Sequence, residues 1–120
     1  MKKNETVQNY LEAIYILSMD KDVRAIDIAR YFEFSRPTVS VALKELETSG
    51  YILYESNIIK LTDSGKKIAQ VMYERHEYIA KVLMKLGVSK ERAYKDSCLV
   101  EHDLSSESFD AIKKATENLF

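Results

Sequence analysis

The sequence predicts a mainly α-helical fold with one short β-hairpin near its middle, on three observations. Three glycines and one proline in 120 residues leave little room for the dense turns of a sandwich or barrel. Apolar side chains recur at helical spacing along most of the chain. One stretch alone, "YILYESNIIKLT", switches to β-branched and aromatic residues around a turn-forming triplet.

Taken in order, "ETVQNYLEAIYILS" carries Val7, Tyr10, Leu11, Ile14 and Leu17 on one face and predicts a first helix. "MDKDV" interrupts it, and "RAIDIARYFEF" resumes with Ile26, Ile28, Ala29 and Phe32. In "SRPTVSVALKELETSG", Ser35 is placed to cap a helix and Pro37 falls in its first turn, where amides have no intrahelical partner. Val39, Ala42, Leu43 and Leu46 make its apolar stripe, and Gly50 ends it. After the hairpin, "TDSGKK" opens a long helix over roughly 63–86, with Ile68, Met72, Ile79, Val82, Leu83 and Leu86 as its buried side. Gly87 stops that helix. Ser89 starts one that contains "CLVEH", and "SSES" caps a last one through "FDAIKKATENLF".

Helix, tight turn, helix, hairpin is the order of a winged helix-turn-helix. The expected division is a DNA-binding domain over 1–63 and a second helical domain over 64–120. The helix after the tight turn turns Arg36, Thr38, Ser40, Val41 and Lys44 outward. Small hydroxyl residues with an Arg and a Lys suit entry into a major groove, where they bond phosphates and reach base edges. Ser35, Arg36, Pro37, Thr38, Ser40, Lys44 and the hairpin's Lys60 are the candidate DNA contacts, with Lys66 and Lys67 beyond. The same residues also suit an ordinary solvated amphipathic pair. Residues 20–67 hold as many acidic as basic side chains. Affinity would therefore rest on clustering and on two copies spaced along the duplex.

The net charge of −1 neither announces nor excludes a nucleic-acid partner. No apolar run approaches the ~20 residues of a membrane span. The opening "MKKNETVQNY" is polar, and one cysteine cannot form an internal disulfide, so a cytoplasmic protein is expected.

"CLVEH" gathers the only cysteine, a glutamate and one of two histidines. At ~100° per helical residue, Glu101 lies about 60° to one side of Cys98 and His102 about 40° to the other. All three can look into one cavity as ligands for a divalent transition metal, although a buried cysteine and a surface Glu–His pair fit the trio too. His76 is the only other histidine, and Asn9 and Glu12 share a face of the first helix. If the three helices converge, Asn9, Glu12, His76, Cys98, Glu101 and His102 meet as donors.

These stretches together resemble the diphtheria-toxin-repressor and manganese-transport-regulator family of bacterial metal-dependent repressors. "NYLEAIYIL" looks like the family's first helix and "DIARYFEFSRPTVSVALKELETSGYI" like its DNA-reading unit. "LTDSGKKIA" resembles the join to the second domain, "ERHEYIAKVLMKLGV" the long helix and "CLVEHDLS" the metal-binding helix. The resemblance implies a winged-helix domain, a helical dimerisation and metal-binding domain, and a metal corepressor, in the short two-domain type without an SH3-like domain. It places His76, Glu101 and His102 on metal-ligand positions and Glu12 on a carboxylate ligand of the manganese branch. Cys98 stands where the iron branch has cysteine and the manganese branch glutamate. Asn9 matches neither branch, and Tyr94 and Ala80 replace a histidine and a glutamate of the iron branch's ancillary site.

The expected function is therefore a dimeric repressor that binds double-stranded operator DNA when a divalent metal is bound, with no membrane partner. Iron is expected first, and manganese, zinc or cobalt as alternatives, because a thiolate favours softer ions. One ion per chain, clamping the two lobes, is expected. The alternatives are a metal-independent or redox-sensing winged-helix regulator using Cys98, a protein-interaction module sharing the winged-helix fold, and an enzyme built on the Cys–His pair. No Gly-rich loop, oxyanion donor or lid accompanies that pair, so no enzyme is expected.

Overall fold

The computed structural model describes residues 3–120, with side chains from Glu5 onward. The order is α1 (Lys3–Ser18), α2 (Ala25–Phe32), α3 (Arg36–Thr48), β1 (Ile52–Glu55), β2 (Ile58–Leu61), α4 (Asp63–Lys85), α5 (Lys90–Val100) and α6 (Ser106–Thr116), closed by a 3₁₀ turn at Glu117–Leu119. Two compact units divide the chain after Gln70.

The first unit is built around Leu11 and Ile14 of α1, Ile28 of α2, Val39, Leu43 and Leu46 of α3, and Ile52 and Ile59 of the hairpin, all buried. Ala69, in the second turn of α4, belongs to the same core. Asp27 fixes the start of α2: its carboxylate accepts the Arg24 N–H at 2.9 Å and pairs with Lys21 Nζ at 2.7 Å. The turn from α2 to α3 passes through Glu33 in the left-handed region (φ 58). A side chain there costs about 1 kcal/mol, and the Phe34 N–H to Ala29 carbonyl bond (3.0 Å) holds the turn closed. Ser35 then caps α3 by accepting the Thr38 N–H at 3.3 Å.

β1 and β2 pair antiparallel with Glu55 opposite Ile58. Ser56 and Asn57 alone make the turn, both with positive φ (51 and 67), as a two-residue hairpin requires. The turn is thus one residue shorter than the "ESN" triplet suggested, because Glu55 stays in the ladder. Thr62 joins the wing to α4: its hydroxyl donates to the Gly50 carbonyl at 2.7 Å and accepts the Gly65 N–H at 3.2 Å. Gly65 is required here, since a Cβ would fall on the Tyr51 carbonyl oxygen.

In the second unit Met72, Ile79, Ala80 and Val82 of α4, Ala93 of α5 and Phe109 of α6 are buried. Leu86 is not on that buried side; it is 66% exposed, because α4 ends at Lys85 and the chain turns out through Gly87 (φ 99). Ser89 and Ser105 cap α5 and α6, accepting the N–H of Arg92 and Ser108. Tyr78 ties α4 to α6 through the Lys113 carbonyl and the Thr116 hydroxyl.

Candidate functional site

On α3 the apolar stripe of Val39, Leu43 and Leu46 is buried, and Arg36, Pro37, Thr38, Ser40, Val41 and Lys44 are exposed on the other side. Arg36 opens the helix, where the aligned backbone dipoles already favour an anion. Ser35 and Thr38 share a hydroxyl hydrogen bond of 2.8 Å, so both are ordered by the cap itself. Lys60 lies exposed on β2, cross-strand from Leu53. The arrangement is a basic, small-residue face beside a wing.

In the second unit four candidate donors come together. His76 projects from α4 and Cys98 from α5. Glu101 and His102 are not on that helix: α5 ends at Val100, and the Asp103 N–H tightens the end by bonding Val100 at 3.1 Å. Glu101 keeps helical dihedrals (φ −58, ψ −35) and bonds back to Ser97, so its carboxylate still aims as a further helical residue would.

Cys98 Sγ is 3.3 Å from His76 Nε2 and 3.7 Å from Nδ1. Glu101 Oε2 is 3.9 Å from His76 Nδ1, and Oε1 is 3.3 Å from His102 Nε2. Ligand atoms of His76, Cys98 and Glu101 all fall within 4.8 Å of one another. Donors at ~2.0–2.3 Å from a tetrahedral ion stand roughly 3.3–3.7 Å apart, so small side-chain adjustments suffice to close this set on a cation. The donor chemistry agrees. The Glu101 carboxylate is fully buried between two imidazoles, and desolvating a carboxylate is costly unless positive charge approaches it.

The surrounding groups orient the set. His76 Nε2 faces the Tyr94 carbonyl at 3.2 Å. A carbonyl only accepts, so in the tautomer with the proton on Nε2 this contact is a hydrogen bond and the Nδ1 lone pair is left for a ligand. The Tyr94 ring meets His76 edge-on at 5.5 Å, and its phenol donates to Glu77 at 2.8 Å. That bond, helped by slight burial and the Glu77 charge, holds the phenol above the ordinary tyrosine range. Ala80 is buried. Glu77 and Arg75 went unnoticed in the sequence reading; the adjacency of both to His76 was the available signal.

Asn9 and Glu12 stand three residues apart on α1, in the first unit; Glu12 is buried and Asn9 partly so.

Comparison with known proteins adds independent findings. A family model described as "Iron dependent repressor, N-terminal DNA binding domain" matches residues 3–57. A second, "Iron dependent repressor, metal binding and dimerisation domain", matches 62–119. The transcriptional regulator MntR of Escherichia coli O6:H1 is 36% identical over 117 residues, spanning 96% of this chain and 76% of the relative. The HTH-type transcriptional regulator MntR of Lysinibacillus sphaericus is 33% identical over 109 residues, spanning 89% and 78%. The solved structure of the manganese regulator SloR matches with a TM-score of 0.80 and 26% identity, over 92% of this chain and 53% of SloR. The chain thus spans about half the length of that solved structure.

Proposed function

This chain belongs to the iron-dependent repressor family of transcriptional regulators, and from that premise we propose that it binds operator DNA as a homodimer when a divalent transition metal occupies its second unit. It is a metal-dependent regulator and not an enzyme, which sets aside both the redox-sensing alternative and catalysis by the Cys–His pair. Among the described residues no helix is long and apolar enough to cross a membrane.

The observation that carries the proposal is the convergence of His76, Cys98 and Glu101, with His102 against Glu101. When bound, the cation would supply positive charge beside the buried Glu101 carboxylate and complete a thiolate–carboxylate–imidazole set. His76 would offer an imidazole nitrogen and Cys98 its sulfur as a thiolate, beside Glu101 and His102, which face each other across 3.3 Å. Asn9 and Glu12 are further candidate ligands on residue type and on the resemblance. The thiolate ranks iron first, with zinc and cobalt, ahead of manganese, although the solved structure of SloR is described as that of a manganese regulator. A single ion per chain is expected, because the resemblance puts a glutamate at position 98 in the manganese branch and this chain has a thiol there.

On the DNA side, Arg36, Ser40 and Lys44 read or grip the major groove and Lys60 meets a flanking phosphate, while Ser35, Pro37 and Thr38 shape the first turn of α3. The exposed apolar residues Leu86, Leu99, Ile112 and Phe120 of the second unit support a surface for the second copy. The ion favours the DNA-competent state by its differential affinity, typically ~1–3 kcal/mol, and linkage requires that operator DNA tighten metal binding in return.

The test is elemental analysis of protein purified without oxygen, paired with operator binding across iron, manganese, zinc and cobalt. Binding that chelator leaves unchanged refutes the proposal. Arg36→Ala should weaken DNA binding and leave metal affinity unchanged. If Arg36 meets a phosphate, the salt slope falls by about one.

A further inference from the structure

We propose that Arg75 is the positioning residue of the metal centre: it sets the turn that carries Glu101 and His102 before any ion arrives. The inference rests on the metal-centre reading above. Arg75 precedes His76 on α4 and is 7% exposed, a rare state for a guanidinium. It does not point toward the donors. Nη1 donates to the Leu104 carbonyl and Nη2 to Ser106 Oγ, each at 2.9 Å, and the guanidinium lies over the Phe109 ring, 5.2 Å from its centroid.

Those partners close the far end of the turn. The near end is held by α5 itself, through the Glu101 N–H to Ser97 and the Asp103 N–H to Val100, both 3.1 Å. Beyond the turn, Ser105 begins α6 by accepting the Ser108 N–H at 3.0 Å. Between these anchors lie only residues 101–104, two of them candidate ligands. Their exit is gripped by a side chain adjoining another candidate ligand, His76. One short piece of α4 therefore sets where His76 stands and where the turn can lie.

The planar fork matters, because it serves a carbonyl and a hydroxyl at once while its face rests on an aromatic ring. A lysine offers one donor point and no plane. Without the fork the turn has to be ordered by the ion itself, and removing such outer supports typically weakens metal sites by about 10- to 100-fold.

The experiment titrates the full chain with Co(II) under anaerobic conditions and follows thiolate-to-cobalt charge-transfer absorption. Arg75→Met is expected to weaken Co(II) about 10- to 100-fold. Arg75→Lys should recover part of that loss, and Ser106→Ala, which removes one of the two acceptors, should weaken binding by a few fold. The band at saturation should match wild type in each, because the ligands are intact; a loss of stability alone would not give graded affinity at equal unfolding midpoints. Folded variants with wild-type affinity overturn the proposal. If Arg75→Met does not fold, Ser106→Ala and Arg75→Lys decide in the same way. Wild-type protein showing no charge-transfer band would instead end the metal-centre reading, and this inference with it.

Discussion

Replacing Glu101 with glutamine should make the metal-free protein more stable and abolish the response to metal. The carboxylate is fully buried, with one oxygen 3.3 Å from His102 Nε2 and the other 3.9 Å from His76 Nδ1. Withdrawing a carboxylate from water costs several kcal/mol, of which neighbouring imidazoles return a part. A neutral amide of the same shape avoids most of that cost, so the variant should gain about 1–3 kcal/mol in chelator. Metal should stabilise wild type by about 2.7 kcal/mol at a hundredfold excess over Kd, and the variant hardly at all. Urea unfolding of both proteins, in chelator and in Co(II) at about a thousandfold excess over Kd, where the metal term reaches about 4.1 kcal/mol, should therefore show the two curves exchanging order. A variant less stable than wild type in chelator would mean that protein contacts already satisfy Glu101. An undiminished metal-induced shift would mean that Glu101 is not a ligand.

Gly65→Ala should destabilise the first unit by about 1–3 kcal/mol, measured by thermal unfolding, because the added Cβ would fall on the Tyr51 carbonyl oxygen, which accepts the Thr62 N–H at 3.0 Å. Asp27→Asn should cost about 0.5–1 kcal/mol at neutral pH. The Lys21 hydrogen bond, then the Arg24 N–H, hold the Asp27 carboxyl below its ordinary range. The wild-type advantage should accordingly be complete above the ordinary aspartate pKa and fade as pH falls through the lower folded value; a pH-independent difference would contradict it. Cys98→Ser should remove the Co(II) charge-transfer band and weaken zinc and cobalt far more than manganese, as read by competition titration.

The caps and turns were legible because their signals are local. Ser35, Ser89 and Ser105 each cap the helix that follows, and the wing sits within the one stretch of β-branched and aromatic residues. The C-terminal ends were less so. Leu86 fits the apolar period of α4, yet it falls where the helix closes and the chain turns out through Gly87. α5 ends without a glycine, so nothing in "CLVEHDLS" marks Glu101 and His102 as lying beyond it. The convergence of His76 with Cys98, Glu101 and His102 could be anticipated from residue type and resemblance. The supports could not: Arg75 reaches a carbonyl 29 residues away, and Tyr94 meets Glu77 across 17. Such pairings depend on how helices pack, which periodicity does not encode.

The donors differ sharply in their access to solvent, since Cys98 is exposed and Glu101 is not. An alkylating reagent can therefore reach the sulfur without opening the fold, and its rate becomes a gauge of occupancy that needs neither DNA nor a coloured ion. The same openness makes air the enemy of any preparation: once that sulfur is oxidised, the remaining groups form a harder nest, and the ranking of ions measured on it describes a different protein.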